Sequence, residues 1–192
     1  MADKVRYGIR NAYYAKIEST GENGNPTFAT PVALPGAVNL SLSAEGGLTN
    51  FYADDVVYFV TSANNGYSGD FEIAKIPDKF REDILGETAS TTDNVLIEKA
   101  GVQPANFALL FEFETPSGKS IRNVLYNCTA TRPSMEGATT TDSIEVKTET
   151  ISITASPLTG NGMVKAKTTD TTTDEVYNKW YTSVYMPSEV AK

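Results

Sequence analysis

Asn50-Phe51-Tyr52-Ala53-Asp54-Asp55-Val56-Val57-Tyr58-Phe59-Val60-Thr61-Ser62-Ala63-Asn64-Asn65-Gly66-Tyr67-Ser68-Gly69-Asp70-Phe71-Glu72-Ile73-Ala74-Lys75-Ile76 decides the fold class. Its first limb, Phe51 to Val60, concentrates aromatic and β-branched side chains, which suit a pleated surface. Its second limb alternates, with Tyr67, Phe71 and Ile73 set against Asp70 and Glu72, the period of a half-buried strand. Asn64-Asn65-Gly66 between them tolerates the positive φ of a tight reversal, so the stretch is expected to form one long β-hairpin over residues 51–75. Neither limb carries a reactive centre.

The same period extends outward. Arg6 to Glu18 is strand-like, and Val38, Leu40 and Leu42 alternate with Asn39, Ser41 and Ser43. Leu109, Phe111 and Phe113 alternate with Glu112 and Glu114; after Pro116-Ser117-Gly118 a further strand runs over 119–132, so 107–132 is expected to be a second hairpin. Ile144, Val146, Ile151 and Ile153 interleave with polar residues over 144–155, with a phase slip after Val146 that predicts a bulge. Two short helices interrupt the pattern. Ile76, Phe80 and Ile84 fall at four-residue spacing behind Pro77 and before Gly86. Near the end, Thr172 and Glu175 have capping-box spacing, and Val176 and Trp180 form an apolar stripe beside Tyr177. The expected fold is mainly β: an antiparallel sandwich or barrel with one or two short helices and long loops or arms.

Composition is consistent with one domain over 1–192, with an N-terminal strand or arm (1–20), a long loop (86–106), and a linker with a C-terminal helix (156–192). At 192 residues and 40% apolar content the chain can bury a proper core. A net charge of −8, with its 16 basic residues scattered, argues against a grip on nucleic acid through phosphate neutralisation. The chain has no His, which removes His-based triads and the usual zinc constellations. Its single Cys128 lies in the run Val124, Tyr126, Cys128, Ala130 and is expected to face the core. No catalytic, metal or cofactor site is expected. The carboxylate pairs Asp54-Asp55 and Asp70/Glu72 are expected to be surface charge, Gly160-Asn161-Gly162 is a loop rather than a phosphate cradle, and Asn127-Cys128-Thr129 is a sequon without a signal peptide. No apolar run is long enough for a bilayer, and the start lacks a hydrophobic signal core. Proline- and glycine-punctuated residues 19–37 and the Ser/Thr-rich segment 86–105 are longer than ordinary strand connections. The tract Thr168 to Thr173 reads equally as a linker that lets the last helix reach another subunit or as a plain solvated connection.

The order of residues Phe51-Tyr52-Ala53-Asp54-Asp55, Asn64-Asn65-Gly66-Tyr67 and Phe71-Glu72-Ile73-Ala74 resembles the major tail protein of long, non-contractile-tailed bacteriophages, the phi13-type tail tube family. Further blocks follow in the family's order: Val5-Arg6-Tyr7-Gly8, Pro35 to Leu42, Ala108 to Phe113, Val124 to Pro133, and Glu175 to Tyr181. Residues 20–30, 86–106 and 156–172 carry no such signature. The resemblance implies a structural virion protein rather than an enzyme, one that forms hexameric rings stacked into the tail tube, the conduit for DNA ejection. It implies assembly in the host cytoplasm and partners that include the chain itself, a tape measure protein, and tail terminator and distal tail proteins. DNA passes without specific binding, and no membrane is involved. It places residues 51–75 on the inner wall, so that Phe71 and Ile73 enter the core while Asp70 and Glu72 face the lumen, where carboxylates repel phosphates. It also implies that the loop over 86–104 touches a neighbouring subunit or ring. Phe111, Cys128 and Trp180 are expected in packing positions. The competing reading is a monomeric β-sandwich binding or adhesive module of carbohydrate-binding type, with Trp180 and tyrosines as a stacking platform.

Overall fold

The computed structural model describes residues 5–137, 139 and 146–187. It is mainly β. In chain order the strands are β1 (Tyr7–Thr20), β2 (Pro26–Phe28), β3 (Val32–Ala33), β4 (Ala37–Glu45), β5 (Leu48–Ala53), β6 (Val56–Ser62), β7 (Gly66–Ile73), β8 (Thr88–Ala89), β9 (Leu96–Ile97), β10 (Phe107–Glu114), β11 (Ile121–Ala130), β12 (Glu149–Ala155) and β13 (Lys165–Lys167). A short helix α1 (Asp78–Phe80) continues into a wide π-turn at Arg81–Leu85, and α2 (Asp174–Lys179) lies near the end. The main sheet is antiparallel in the order β2-β1-β10-β11-β12-β7-β4, with β3 added beside β1 and β13 beside β11. It curls until β4 approaches β1 without closing into a barrel, which gives a sandwich-like body.

The curl encloses one core. Phe71 and Ile73 of β7, Phe107, Leu109 and Phe111 of β10, and Ile151 and Ile153 of β12 all point into it. Ile76, Phe80 and Ile84 plug its open end, as their spacing predicts, and the helical turn stops at Gly86 with φ 78°. Phe80 meets Tyr14 and Phe107 edge-on. The other face of the same central strands, Ala15, Ala108, Leu110, Val124 and Tyr126, is covered by Leu158 and Trp180. Both faces of β10 are therefore buried, which is why Phe107-Ala108-Leu109-Leu110-Phe111 is continuously apolar.

Four sequence expectations need correction. The long hairpin reverses at Asp54-Asp55, not at Asn64-Asn65-Gly66, and β7 pairs with β4 and β12 rather than with the first limb. Gly66 has φ 104°, and a Cβ there would sit 1.8 Å from the Ala155 carbonyl oxygen. It is a point of close backbone approach within the sheet, not a hairpin tip. Along β11, Val124 and Tyr126 face the C-terminal segment while Cys128 and Ala130 face the enclosed core, because two residues of β10 (Phe107 to Leu109) span three of β11 (Cys128 to Leu125). The strand expected over 144–155 begins at Glu149, and Val146 is exposed outside it, so the phase slip marks a strand start and not a bulge; Ile144 lies outside the described residues. Finally, α2 is capped at Thr173 without a side-chain bond. The Thr172 hydroxyl instead accepts from the Thr169 N–H at 2.8 Å.

Candidate assembly surfaces

Among the described residues, β5 and β6 pair with each other and with no other strand. Asp54 (φ 50°) and Asp55 (φ 63°) sit in the left-handed region, the geometry of a two-residue type I′ turn whose twist suits a hairpin. Phe51 pairs with Phe59 and Tyr52 with Val57, with Tyr58 the extra residue of a bulge. Partners across a ladder share a face and neighbours along a strand do not, so Phe51 and Phe59 line one face while Tyr52 and Val57 line the other. Leu48, Phe51, Tyr52, Val56, Val57, Tyr58, Phe59 and Val60 are each 47–74% exposed. The stem has no charge; Asp54 and Asp55 carry the only ones, at the tip.

This arm prolongs the β4–β7 ribbon. Its junction is Gly46-Gly47 on one side and Ala63 to Asn65 on the other, bridged by hydrogen bonds from Ala63 N–H to the Gly47 carbonyl and from Asn65 N–H to the Glu45 carbonyl, both 2.9 Å. Gly46 has φ 118°, and a Cβ there would lie 2.1 Å from the Ala63 carbonyl oxygen, so only glycine fits this crossing.

Asp70 and Glu72 project opposite to Phe71 and Ile73, as the alternation requires. Asp70 is exposed and accepts from the Ser152 hydroxyl at 2.7 Å; Glu72 accepts from the Thr148 hydroxyl at 2.6 Å. The loop after the first helical turn folds back on itself through β8 and β9, with its Ala105 N–H bonded to the Ile84 carbonyl and Val95, Ile97 and Val102 exposed.

Sequence reasoning missed a buried ionic cluster. Glu112 lies in the phase of Ala108 and Leu110, on the face covered by the C-terminal segment, and is 2% exposed. Its oxygens receive Arg10 Nε (3.0 Å), Arg122 Nε (3.1 Å), Asn11 Nδ2 (2.6 Å) and the Tyr181 hydroxyl (3.1 Å). Arg122 also donates to the Tyr177 carbonyl and stacks 3.8 Å from the Tyr177 ring centroid. An acid in a core phase is the signal that was available, since a buried carboxylate needs partners. The cluster binds α2 to its own subunit. The tract before α2 is likewise fastened, because Thr168 is buried and its hydroxyl accepts from the Arg122 N–H. Burial pushes the Tyr181 phenol upward first, and the neighbouring Glu112 adds to this; both effects keep it a neutral donor.

Trp180 is 2% exposed, stacked on Tyr185 at 5.4 Å. It packs, as expected, and offers no platform to a sugar. Cys128 is fully buried, and burial raises its thiol to about 12. Among the described residues no group of three or more acids or thiols is placed to hold a metal, and no helix is long and apolar enough to cross a membrane. No protein-family model and no curated protein matches the chain.

Proposed function

We propose that this chain is a self-assembling structural subunit of a phage tail tube, forming hexameric rings that stack into the conduit for DNA ejection. One observation carries the reading: an isolated two-stranded arm, apolar on both faces and charged only at its tip. A two-stranded ribbon is marginal in water by itself, and eight large apolar side chains held in solvent stand to gain about 1.5–3 kcal/mol each on full burial. Such an arm is suited to burial against other copies. The family resemblance supplies the geometry of the assembly: rings with an acidic lumen to which Asp70 and Glu72 contribute, a virion location, DNA passing without specific binding, and contacts to a tape measure protein and to tail terminator and distal tail proteins.

Sedimentation velocity over a hundredfold concentration range, with negative-stain images of the heaviest fraction, tests it. Concentration-dependent growth into rings or tubes of uniform width is the expected result. A species that stays monomeric at the highest concentration, in both low and high salt, overturns it and favours a monomeric adhesive module, although burial of Trp180 deprives that alternative of its stacking platform.

A further inference from the structure

The arm has a counterpart on the body of the same chain. Between the β4–β7 ribbon and β10–β11 the curled sheet leaves an open groove of about 170 Å³, where Leu40, Leu42 and Phe113 are incompletely covered above the buried Leu125 and Arg6 and Lys165 stand at the rim. Arg6 lies 4.6 Å over the Phe113 ring and Lys165 lies 4.4 Å over the Tyr67 ring. Neither cation has a carboxylate partner among the described residues. In a chain of net charge −8, this groove is lined by two cations and no acid, and Lys165 Nζ also donates to the Tyr67 hydroxyl. The arm is complementary in both respects, with an uncharged apolar stem and two adjacent acids at its tip.

Resting on the assembly reading above, we propose that the arm of one copy seats in this groove of a second copy, with Asp54 and Asp55 facing Arg6 and Lys165. The two patches differ, so the contact is heterologous: every copy offers one arm and one groove, and addition continues instead of stopping at a dimer. The ion pairs sit at the edge of the contact and mainly set register and encounter rate, while the stem supplies the burial.

The test uses the full chain. A benzophenone amino acid replaces Tyr58, and equal amounts of light- and heavy-isotope protein are mixed, assembled, irradiated and digested. Expected are mixed-isotope crosslinks from the arm to peptides containing Arg6 or Lys165. In parallel, Arg6→Glu with Lys165→Glu should raise the assembly threshold concentration at least tenfold, and Asp54→Lys with Asp55→Lys in the same chain should restore it to within about threefold. Crosslinks that map elsewhere, or charge reversals without mutual rescue while tubes still grow, overturn the docking site and leave the tube reading standing. Mixed-isotope crosslinks at the groove in a species that stops at small closed oligomers confirm the docking and remove the tube. The exposed variants are checked for an unchanged thermal midpoint, and the crosslink arm needs no charge change at all.

Discussion

Two hairpins of this molecule have nearly the same kind of sequence and opposite surroundings. β10–β11 runs through Phe107-Ala108-Leu109-Leu110-Phe111 and is covered on both faces; β5–β6 runs through Val56-Val57-Tyr58-Phe59-Val60 and is covered on neither. Apolar side chains on both sides of a strand therefore specify burial on both sides without saying by what. In the first hairpin the covering layers come from the same chain, and in the second they are left to be supplied.

The contrast breaks most sharply at single aromatics. Phe107→Ala should cost about 3–5 kcal/mol of subunit stability in urea unfolding, because it opens a cavity beneath Phe80. Phe59→Ser should change unfolding of the unassembled subunit by less than about 0.5 kcal/mol, as for other exposed positions, while strongly suppressing assembly. A large loss of subunit stability from Phe59→Ser means that the arm is covered by its own chain and the contrast is false.

A smaller effect is expected where the second face of β10 meets the C-terminal segment. Glu112→Gln keeps the shape but removes the charge that faces Arg10 and Arg122, leaving Arg122 poorly compensated. A loss of about 2–3 kcal/mol is expected, below the range for fully buried pairs because Arg10 is half exposed. Proteolysis should then release the segment after residue 168 before the sheet is cut. Unchanged protection there separates the cluster from the docking of α2.

Alkaline titration sharpens the comparison further. Burial raises Cys128 from an ordinary value near 9 to about 12 and moves the Tyr14 and Tyr126 phenols in the same direction. Above pH 9 the unfolded chain has released a thiol proton that the folded chain retains, so stability is complete below pH 9 and declines toward pH 12, by on the order of a few kcal/mol. Thermal midpoints of the wild type and Cys128→Ala, compared across this window, measure the share due to the thiol. Equal slopes exclude it. At pH 8 the folded protein should leave Cys128 unlabelled by maleimide, and unfolding should expose it.

A small effect on the fold is also expected at Asp70 and Glu72. Changing both to Lys loses only their hydroxyl contacts with Ser152 and Thr148, so subunit stability should move by less than about 1 kcal/mol. The functional effect is the decisive one. On the tube reading proposed above, the two added cations would line the lumen and slow DNA ejection from phage carrying both changes, and ejection at the wild-type rate removes these residues from the lumen.

Much of this was legible in the chain because it depended on local period. Phe71, Ile73 and Phe111 announce their burial by alternation, and Ile76, Phe80 and Ile84 announce a helical turn. The reversal was not legible, since Asp54-Asp55 and Asn64-Asn65-Gly66 are both competent turns and the strands on either side of each are regular. A contact far away in sequence, the Ala155 carbonyl against Gly66, decides between them. The core-facing Cys128 was legible, but the opposite facing of Val124 and Tyr126 was not, because the extra residue in β11 is defined only by its register against β10. The Glu112 cluster draws on Arg10, Asn11, Arg122 and Tyr181, which no local pattern unites.

The junction at Gly46-Gly47 and Ala63 to Asn65 has a mechanical consequence. Ladder pairing stops at Glu45 and Gly66 and resumes at Leu48 and Ser62, so the body and the arm are two regular ladders joined by a narrow strap that two backbone hydrogen bonds bridge. Copies linked through their arms would flex at these straps while each sheet kept its register. The bending stiffness of such a fibre would then be set by a few backbone torsions per subunit, and it would yield sideways, like articulated links, without any core having to open.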